Sequence, residues 1–158
     1  SMRVHEEDGR TFVRRAVRAG RTFDLVMLDA YDHEYIPEHL LTQEFLREVR
    51  ALLRPGGVLA ANTFSSSRLY SNESVTYRAV FGEFYNLRGN NRVILARNGA
   101  LPAFATIQQQ AGGFGAAFRK LGFSVQDVML RFTMAVDWDT RARILTDQYS
   151  PANLLNAR

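Results

Sequence analysis

Two carboxylates directly follow a short apolar segment in the first third of the chain. Residues 25–28 are all apolar, and Asp29 and Asp32 come after them. In open α/β sheets the ligand crevice lies at the carboxyl ends of the strands, so carboxylates there can accept a proton from a ligand or bind a cation. Asp29 can also be interpreted as a residue that caps a turn. The pattern makes both residues candidates for acid–base chemistry.

The elements that must position these carboxylates are visible in the spacing of apolar residues. Positions i, i+3 and i+4 predict amphipathic helices, whereas short apolar runs and strict alternation predict strands. Thr42 is a predicted helix N-cap, and glycines follow several predicted helices. The predicted helices are 11–19, 43–54, 72–85 and 107–121, and the predicted strands are 23–28, 58–64, 92–96 and 128–136.

This alternation of strands and helices favours an α/β fold with a mostly parallel sheet and flanking helices. The unbroken apolar run at 23–28 is typical of a central strand covered on both faces. A chain of 158 residues with no repeat and no linker predicts a single domain over 1–158. Ser1 and Met2 are interpreted as a cloning remnant.

The composition argues against several classes of site and partner. The chain has no Cys, which excludes disulfides, thiolate zinc sites and a cysteine nucleophile. Its net charge is +4, but the arginines are mixed with acids, so no nucleic-acid partner is predicted. No apolar run approaches the roughly 20 residues of a membrane helix, and no signal pattern begins the sequence, so we expect a cytoplasmic protein without membrane contact. The spacing of His33, His39, Asp32 and Glu34 fits no common zinc pattern, so no metal is predicted.

Four motifs stand in a definite order along the chain. They are Val4-x-x-x-Asp8-Gly9-Arg10-x-Phe12, Phe23-Asp24-Leu25-Val26-x-x-Asp29-Ala30-x-Asp32, Pro37-x-x-Leu40-x-Thr42-x-Glu44-Phe45 and Leu53-x-Pro55-Gly56-Gly57-Val58. Together they resemble the spermidine synthase family of polyamine aminopropyltransferases. The closing segment, Leu145-Thr-Asp-Gln-Tyr-Ser-Pro-Ala-Asn153, resembles the C-terminal signature of its spermidine synthase-like branch.

The resemblance implies a partial Rossmann-like fold of the class I methyltransferase type. It covers the C-terminal half of that catalytic domain, so the first two strands, the Gly-rich turn and the acidic ribose ligand have no counterpart before Asp8. The glycines at 112, 113 and 115 lie within a predicted helix and do not replace that turn. The family's co-substrates are decarboxylated S-adenosylmethionine and a polyamine, which the resemblance therefore implies for this chain.

The resemblance also assigns roles to individual residues. Asp8 matches the carboxylate that accepts a hydrogen bond from the adenine amino group, with Gly9 beside it, although Asp8 can also be interpreted as the N-cap of the following helix. Asp29 matches the catalytic aspartate, and Asp29 and Ala30 together fall on the cofactor-binding positions. The implied chemistry needs a carboxylate because an ammonium has no free electron pair with which to attack carbon.

The residues after Asp29 are expected to bind the cationic substrate. Asp32 matches the second acid of the family's D-x-x-D loop, and Glu34 can add a second charge-assisted contact. Tyr31 and Tyr35 are candidates for lining the methylene chain of the amine. Four residues separate Asp32 from Pro37, where the common family pattern has none. The amine pocket is therefore expected to differ from the usual one.

Two other functions compete with aminopropyl transfer. The same fold also supports methyl transfer from S-adenosylmethionine, because the fold alone does not choose the donor. Alternatively, the chain is a non-catalytic interaction module that keeps the later strands and cannot bind cofactor. In that case the missing first strands would leave a sheet edge exposed, at the strand 23–28 or at the segment 3–6. Such an edge would pair with another chain, so a homo-oligomer is predicted.

Overall fold

One sheet of five strands organises the computed structural model, which describes residues 2–30 and 37–151. The strand order is β1-β2-β4-β3-β5. β1 runs parallel to β2, whereas β2–β4, β4–β3 and β3–β5 are antiparallel pairs. The strands are β1 (Phe23–Leu28), β2 (Leu53–Phe64), β3 (Tyr85–Arg88), β4 (Asn91–Arg97) and β5 (Phe132–Thr133).

Helices flank this sheet, so the predicted α/β class is confirmed, but the prediction of a mostly parallel sheet is wrong. The helix predicted over 72–85 ends at Phe81, and residues 85–88, of which only Tyr85 belongs to a predicted element, form β3. Only Gly89 and Asn90 separate β3 from β4, and a connection that short can join only antiparallel neighbours.

The helices largely follow the predicted stretches, except that one predicted helix is divided in two. The helices are α1 (Gly9–Arg18), α2 (Gln43–Leu52), α3 (Tyr70–Phe81), α4 (Phe104–Gly112), α5 (Gly115–Lys120) and α6 (Val125–Leu130), with a short 3-10 helix at Glu38–Leu40. The predicted single helix 107–121 is divided between α4 and α5.

The predicted strand 128–136 is wrong. Its first part belongs to α6, which Ser124 caps by accepting a hydrogen bond from the Asp127 N–H at 3.3 Å. Only β5 is a strand in this region. The alternation of apolar residues does not reflect burial, since Leu130 is exposed.

The core lies between the sheet and the first three helices. Leu59 and Ala61 of β2 and Ile94 and Ala96 of β4 form one buried face. α2 covers this face with the stripe that its helical spacing predicted, namely Phe45, Leu46, Val49 and Leu52. Thr42 caps α2, as predicted, by accepting from the Phe45 N–H at 3.3 Å. Burial of this stripe holds α2 against the sheet, and α1 packs on α2.

β1 lies at the edge of the sheet, which corrects the prediction that it is a central strand covered on both faces. Among the described strands it pairs only with β2. Leu25 and Met27 are 51% and 72% exposed, whereas Val26 and Leu28 pack against the core. Within the described ranges, no helix is both long and apolar enough to cross a membrane.

Candidate active site at the carboxyl end of strand β1

Asp29 lies where the sequence predicted, directly after the last residue of β1. It lines a cavity of about 440 Å³ together with Ala30 and Gly9. The parallel register of β1 and β2 pairs Leu28 with Ala61, which brings the next residue of each strand together. As a result the Asn62 side chain donates a hydrogen bond from Nδ2 to Asp29 Oδ1 at 2.9 Å. The amide fixes one carboxylate oxygen, and no residue in the described part of the chain donates a hydrogen bond to the other.

The rest of the cavity is mostly apolar. Its lining comes from α1, β1, the 3-10 helix and α2, and includes Phe12, Val26, Leu28, Leu40 and Phe45. Such a wall with a few polar groups at one end is typical of a small-molecule site. The cavity could hold a flat or aliphatic group against the apolar wall while a polar group meets Asp29.

Asp8 is the N-cap of α1. Its Oδ1 accepts a hydrogen bond from the Thr11 N–H at 2.9 Å, and its Oδ2 lies 2.7 Å from Nε2 of His39. The hydrogen bond from Thr11, followed by that from His39, holds the pKa of the Asp8 carboxyl below its ordinary 3.8. The capping interpretation is therefore confirmed. It leaves the adenine interpretation open, because each carboxylate oxygen accepts more than one hydrogen bond and the side chain is 47% exposed.

Several predicted site residues lie outside the described residues. These are Tyr31, Asp32, Glu34 and Tyr35, and the substrate-binding roles assigned to them stay predictions. Among residues 2–30 and 37–151, no group of three His, Asp or Glu side chains is placed to hold a metal ion.

The structure adds polar residues that the sequence did not indicate. Asn62 is one, although it stands near the end of a predicted strand, and neighbouring parallel strands end at the same sheet edge. The sequence pattern gives His39 no role outside a metal cluster that its spacing does not support, whereas in the structure His39 contacts Asp8. Arg10 and Asp147 form an ion pair at 2.7 Å. They are 137 positions apart in the sequence, so no local pattern could have joined them.

The sequence of this chain is similar to those of known proteins. No protein-family model matches it. A polyamine aminopropyltransferase of Vibrio vulnificus (strain CMCP6) is 49% identical over 157 residues, which cover 97% of this chain and 52% of that protein. A Bifidobacterium longum (strain NCC 2705) protein named "Probable polyamine aminopropyl transferase" is 28% identical over 84% of this chain and 34% of its own length. The chain thus spans about half the length, or less, of these relatives.

Solved structures share the fold. Human methyltransferase-like protein 13 in complex with SAH aligns with a TM-score of 0.61 and 21% identity, covering 89% of this chain and 64% of that one. A probable spermidine synthase from Corynebacterium glutamicum aligns with a TM-score of 0.56 and 16% identity, covering 90% of this chain and 56% of that one. These similarities confirm the predicted methyltransferase-type fold.

Proposed function

We propose that this chain, a homologue of the polyamine aminopropyltransferases over nearly its whole length, is the catalytic-loop half of an enzyme that transfers an aminopropyl group to a polyamine. The observation that carries the proposal is the position of Asp29, at the end of β1, on the cavity and held by Asn62. A carboxylate oriented in this way can accept a proton from an amine nucleophile. The proposed location is the cytoplasm.

The proposed reaction is an in-line displacement at carbon. The amine nitrogen attacks the carbon next to the sulfonium of decarboxylated S-adenosylmethionine, a C–N bond forms, and the C–S bond breaks to release methylthioadenosine. The proton lost by the amine passes to Asp29, whose other oxygen is fixed by the Asn62 amide. Placement of the amine next to the carbon and removal of its proton are the contributions that the protein makes.

The described residues fit the adenosine end of an S-adenosylmethionine-related ligand. Gly9 and the apolar wall line the cavity, and the Asp8 carboxylate stands beside Gly9 at the start of α1. In this proposal Asp8 accepts from the adenine amino group, while Asp32, Glu34, Tyr31 and Tyr35 bind the polyamine. The chain spans about half of the Vibrio vulnificus protein. We therefore propose that these 158 residues alone catalyse aminopropyl transfer slowly or not at all.

Titration calorimetry with methylthioadenosine and with decarboxylated S-adenosylmethionine tests the proposed site. We expect saturable binding, and we expect Asp8→Ala to weaken it about tenfold, since one charge-assisted hydrogen bond is lost. Asp8→Ser separates the two roles of this residue because serine caps a helix but has no carboxylate. Affinity should fall in both variants, whereas the unfolding free energy should fall by about 1 kcal/mol in the alanine variant alone.

The outcomes distinguish the competing functions. No binding of either ligand at millimolar concentration would favour the non-catalytic interaction module. Incubation with each donor, followed by mass spectrometry of the amine, identifies the transferred group. A methylated product without any aminopropyl adduct would make the protein a methyltransferase.

The free edge of β1 also supports a proposal of self-association. Its outer backbone groups have no strand partner among the described residues, and Leu25 and Met27 are exposed beside them. Such edges pair with a second chain unless a charge blocks them.

We expect a concentration-dependent dimer by light scattering, and we expect Met27→Lys to shift it towards monomer. Leu121→Lys, at an equally exposed position outside the sheet, is the control. A monodisperse wild-type monomer at micromolar concentration would contradict the proposal.

A further inference from the structure

The guanidinium of Arg10 is almost completely buried and binds two carboxylates at once. Its side chain is 8% exposed. Nε and Nη2 donate to the two oxygens of Glu48 on α2, each at 3.1 Å. Nη1 and Nη2 donate to the two oxygens of Asp147 at 2.7 and 2.9 Å. The planar guanidinium cannot rotate without losing one of these bidentate pairs, so its orientation is fixed.

Asp147 is held in turn by the N-terminus of α2. The Thr42 hydroxyl donates to Asp147 Oδ1 at 2.6 Å, and the Asp147 N–H donates to Glu44 Oε2 at 3.1 Å. The hydrogen bonds from Arg10, and then from Thr42, hold the pKa of the Asp147 carboxyl below its ordinary value. Asp147 is therefore an ionised anchor at neutral pH, and it ties the closing segment of the described chain to α1 and α2.

Arg10 and the segment that contains Asp147 also contact the 3-10 helix beside the candidate site. Arg10 Nη1 lies 3.4 Å from the carbonyl oxygen of His39, to which it donates. The Ser150 hydroxyl, three residues after Asp147, donates to the carbonyl oxygen of Glu38 at 3.0 Å. Both contacts fix the backbone of the turn that carries the His39 ring.

His39 connects the Arg10–Asp147 ion pair to the candidate site. Its Nε2 lies 2.7 Å from Oδ2 of Asp8, while the Thr11 N–H holds Oδ1 of the same carboxylate. Asp8 and His39 are both partly exposed, so burial does not hold their side chains in place. Their contact therefore depends on where the backbone of the 3-10 helix is placed. The contact sequence runs from Asp147 through Arg10 and His39 to Asp8.

We propose that Asp147 is a positioning residue of the candidate site: together with Arg10 it fixes the 3-10 helix at Glu38–Leu40, and His39 of that helix orients the Asp8 carboxylate. The contribution to adenosine binding rests on the proposed function, because it requires Asp8 to meet the ligand. The structural link itself does not, and it can be measured without any ligand.

The first test measures the pKa of Asp8 by carbon-13 NMR of its carboxyl group. In Asp147→Asn the Arg10 pair is weakened and the 3-10 helix is released, so we expect the pKa of Asp8 to rise towards 3.8 as His39 moves away. His39→Ala should produce the same rise. Combining the two substitutions should add nothing further if Asp147 acts through His39. Asp139→Asn, which changes an exposed carboxylate elsewhere, should leave the Asp8 pKa unchanged.

Two further variants keep the test decisive if Asp147→Asn does not fold. Asp147→Glu keeps the carboxylate and is expected to restore the wild-type pKa of Asp8. Arg10→Lys keeps the buried charge but cannot form both bidentate pairs and the bond to His39, so it should raise the pKa of Asp8. A folded Asp147→Asn or Arg10→Lys protein with the wild-type Asp8 pKa would overturn the proposal.

Calorimetry with methylthioadenosine separates this proposal from the proposed function. We expect Asp147→Asn to weaken binding about three- to tenfold, the equivalent of one misplaced hydrogen bond. If the Asp8 pKa shifts as expected but even the wild-type chain does not bind the nucleoside, the positioning link stands and the proposed function fails. If binding and the Asp8 pKa are both unchanged in the variant, the positioning link is wrong while the proposed function stands.

Discussion

At pH 8, Arg92→Met is expected to lower the free energy of unfolding by about 3–5 kcal/mol, because it leaves the ionised Glu73 buried without its counter-ion. Both side chains are 1% exposed, and Arg92 Nη2 lies 3.2 Å from Glu73 Oε2. The guanidinium also donates to the Thr63 and Ser74 hydroxyls at 2.9 and 2.7 Å. Arg92 therefore joins β4 to β2 and α3. Urea unfolding followed by circular dichroism measures the loss.

A matched control and a double variant make the stability test specific. Arg141→Met changes an exposed arginine, 92% accessible and 3.6 Å from Asp139, and should alter stability by no more than about 0.5 kcal/mol. Replacing both buried partners, as Glu73→Leu with Arg92→Met, should recover much of the loss because no charge is left unpaired. A single Arg92→Met protein as stable as the wild type would refute the assignment.

The same pair has a defined dependence on pH. Burial raises the pKa of Glu73 from 4.5 to about 7, although the Arg92 guanidinium opposes the rise. Between these two values the folded state holds a proton that the unfolded state has released. Stability from this group is therefore highest below pH 4.5 and falls as the pH rises to about 7. Arg92→Met removes the opposing charge, so its destabilisation should be larger at pH 8 than at pH 5.

In an active full-length enzyme that contains this chain, Asp29→Asn is expected to reduce the rate of the proposed aminopropyl transfer about 10²- to 10⁴-fold, the usual effect of losing a general base. Asparagine keeps the shape and the contact with Asn62, but it cannot take the proton of the amine. Donor affinity should change less than about threefold, because asparagine keeps the size of the side chain and the oxygen that accepts from Asn62. Mass spectrometry under single-turnover conditions, with enzyme in excess, detects even slow formation of product.

Asp24 offers a control on the same strand. It lies at the other end of β1, where its exposed carboxylate accepts from Arg54 Nη2 at 2.6 Å. Asp24→Asn should leave transfer unchanged. Equal turnover in Asp29→Asn and the wild type would remove Asp29 from its proposed role, whereas equal losses in both variants would point to a general effect on β1.

Local patterns predicted the elements that carry the site better than the relations between them. The strand at Phe23–Leu28, the buried stripe of α2 and the Thr42 cap were correct because each depends on residues within a few positions of one another. The alternation at 128–136 predicted a strand and was wrong, since Ser124 caps a helix there and Leu130 faces solvent. A period of two predicts a strand only where one face of it is buried.

The sequence by itself determined that an acidic residue follows an apolar strand, and its motifs determined the family resemblance. Only the tertiary structure decided that β1 is an edge strand, that Asn62 holds Asp29, and that Asp147 reaches Arg10. Helix and strand formation depend on neighbours along the chain, whereas these contacts depend on strand order and register. Those follow from how distant segments pack together, which no spacing within one segment records.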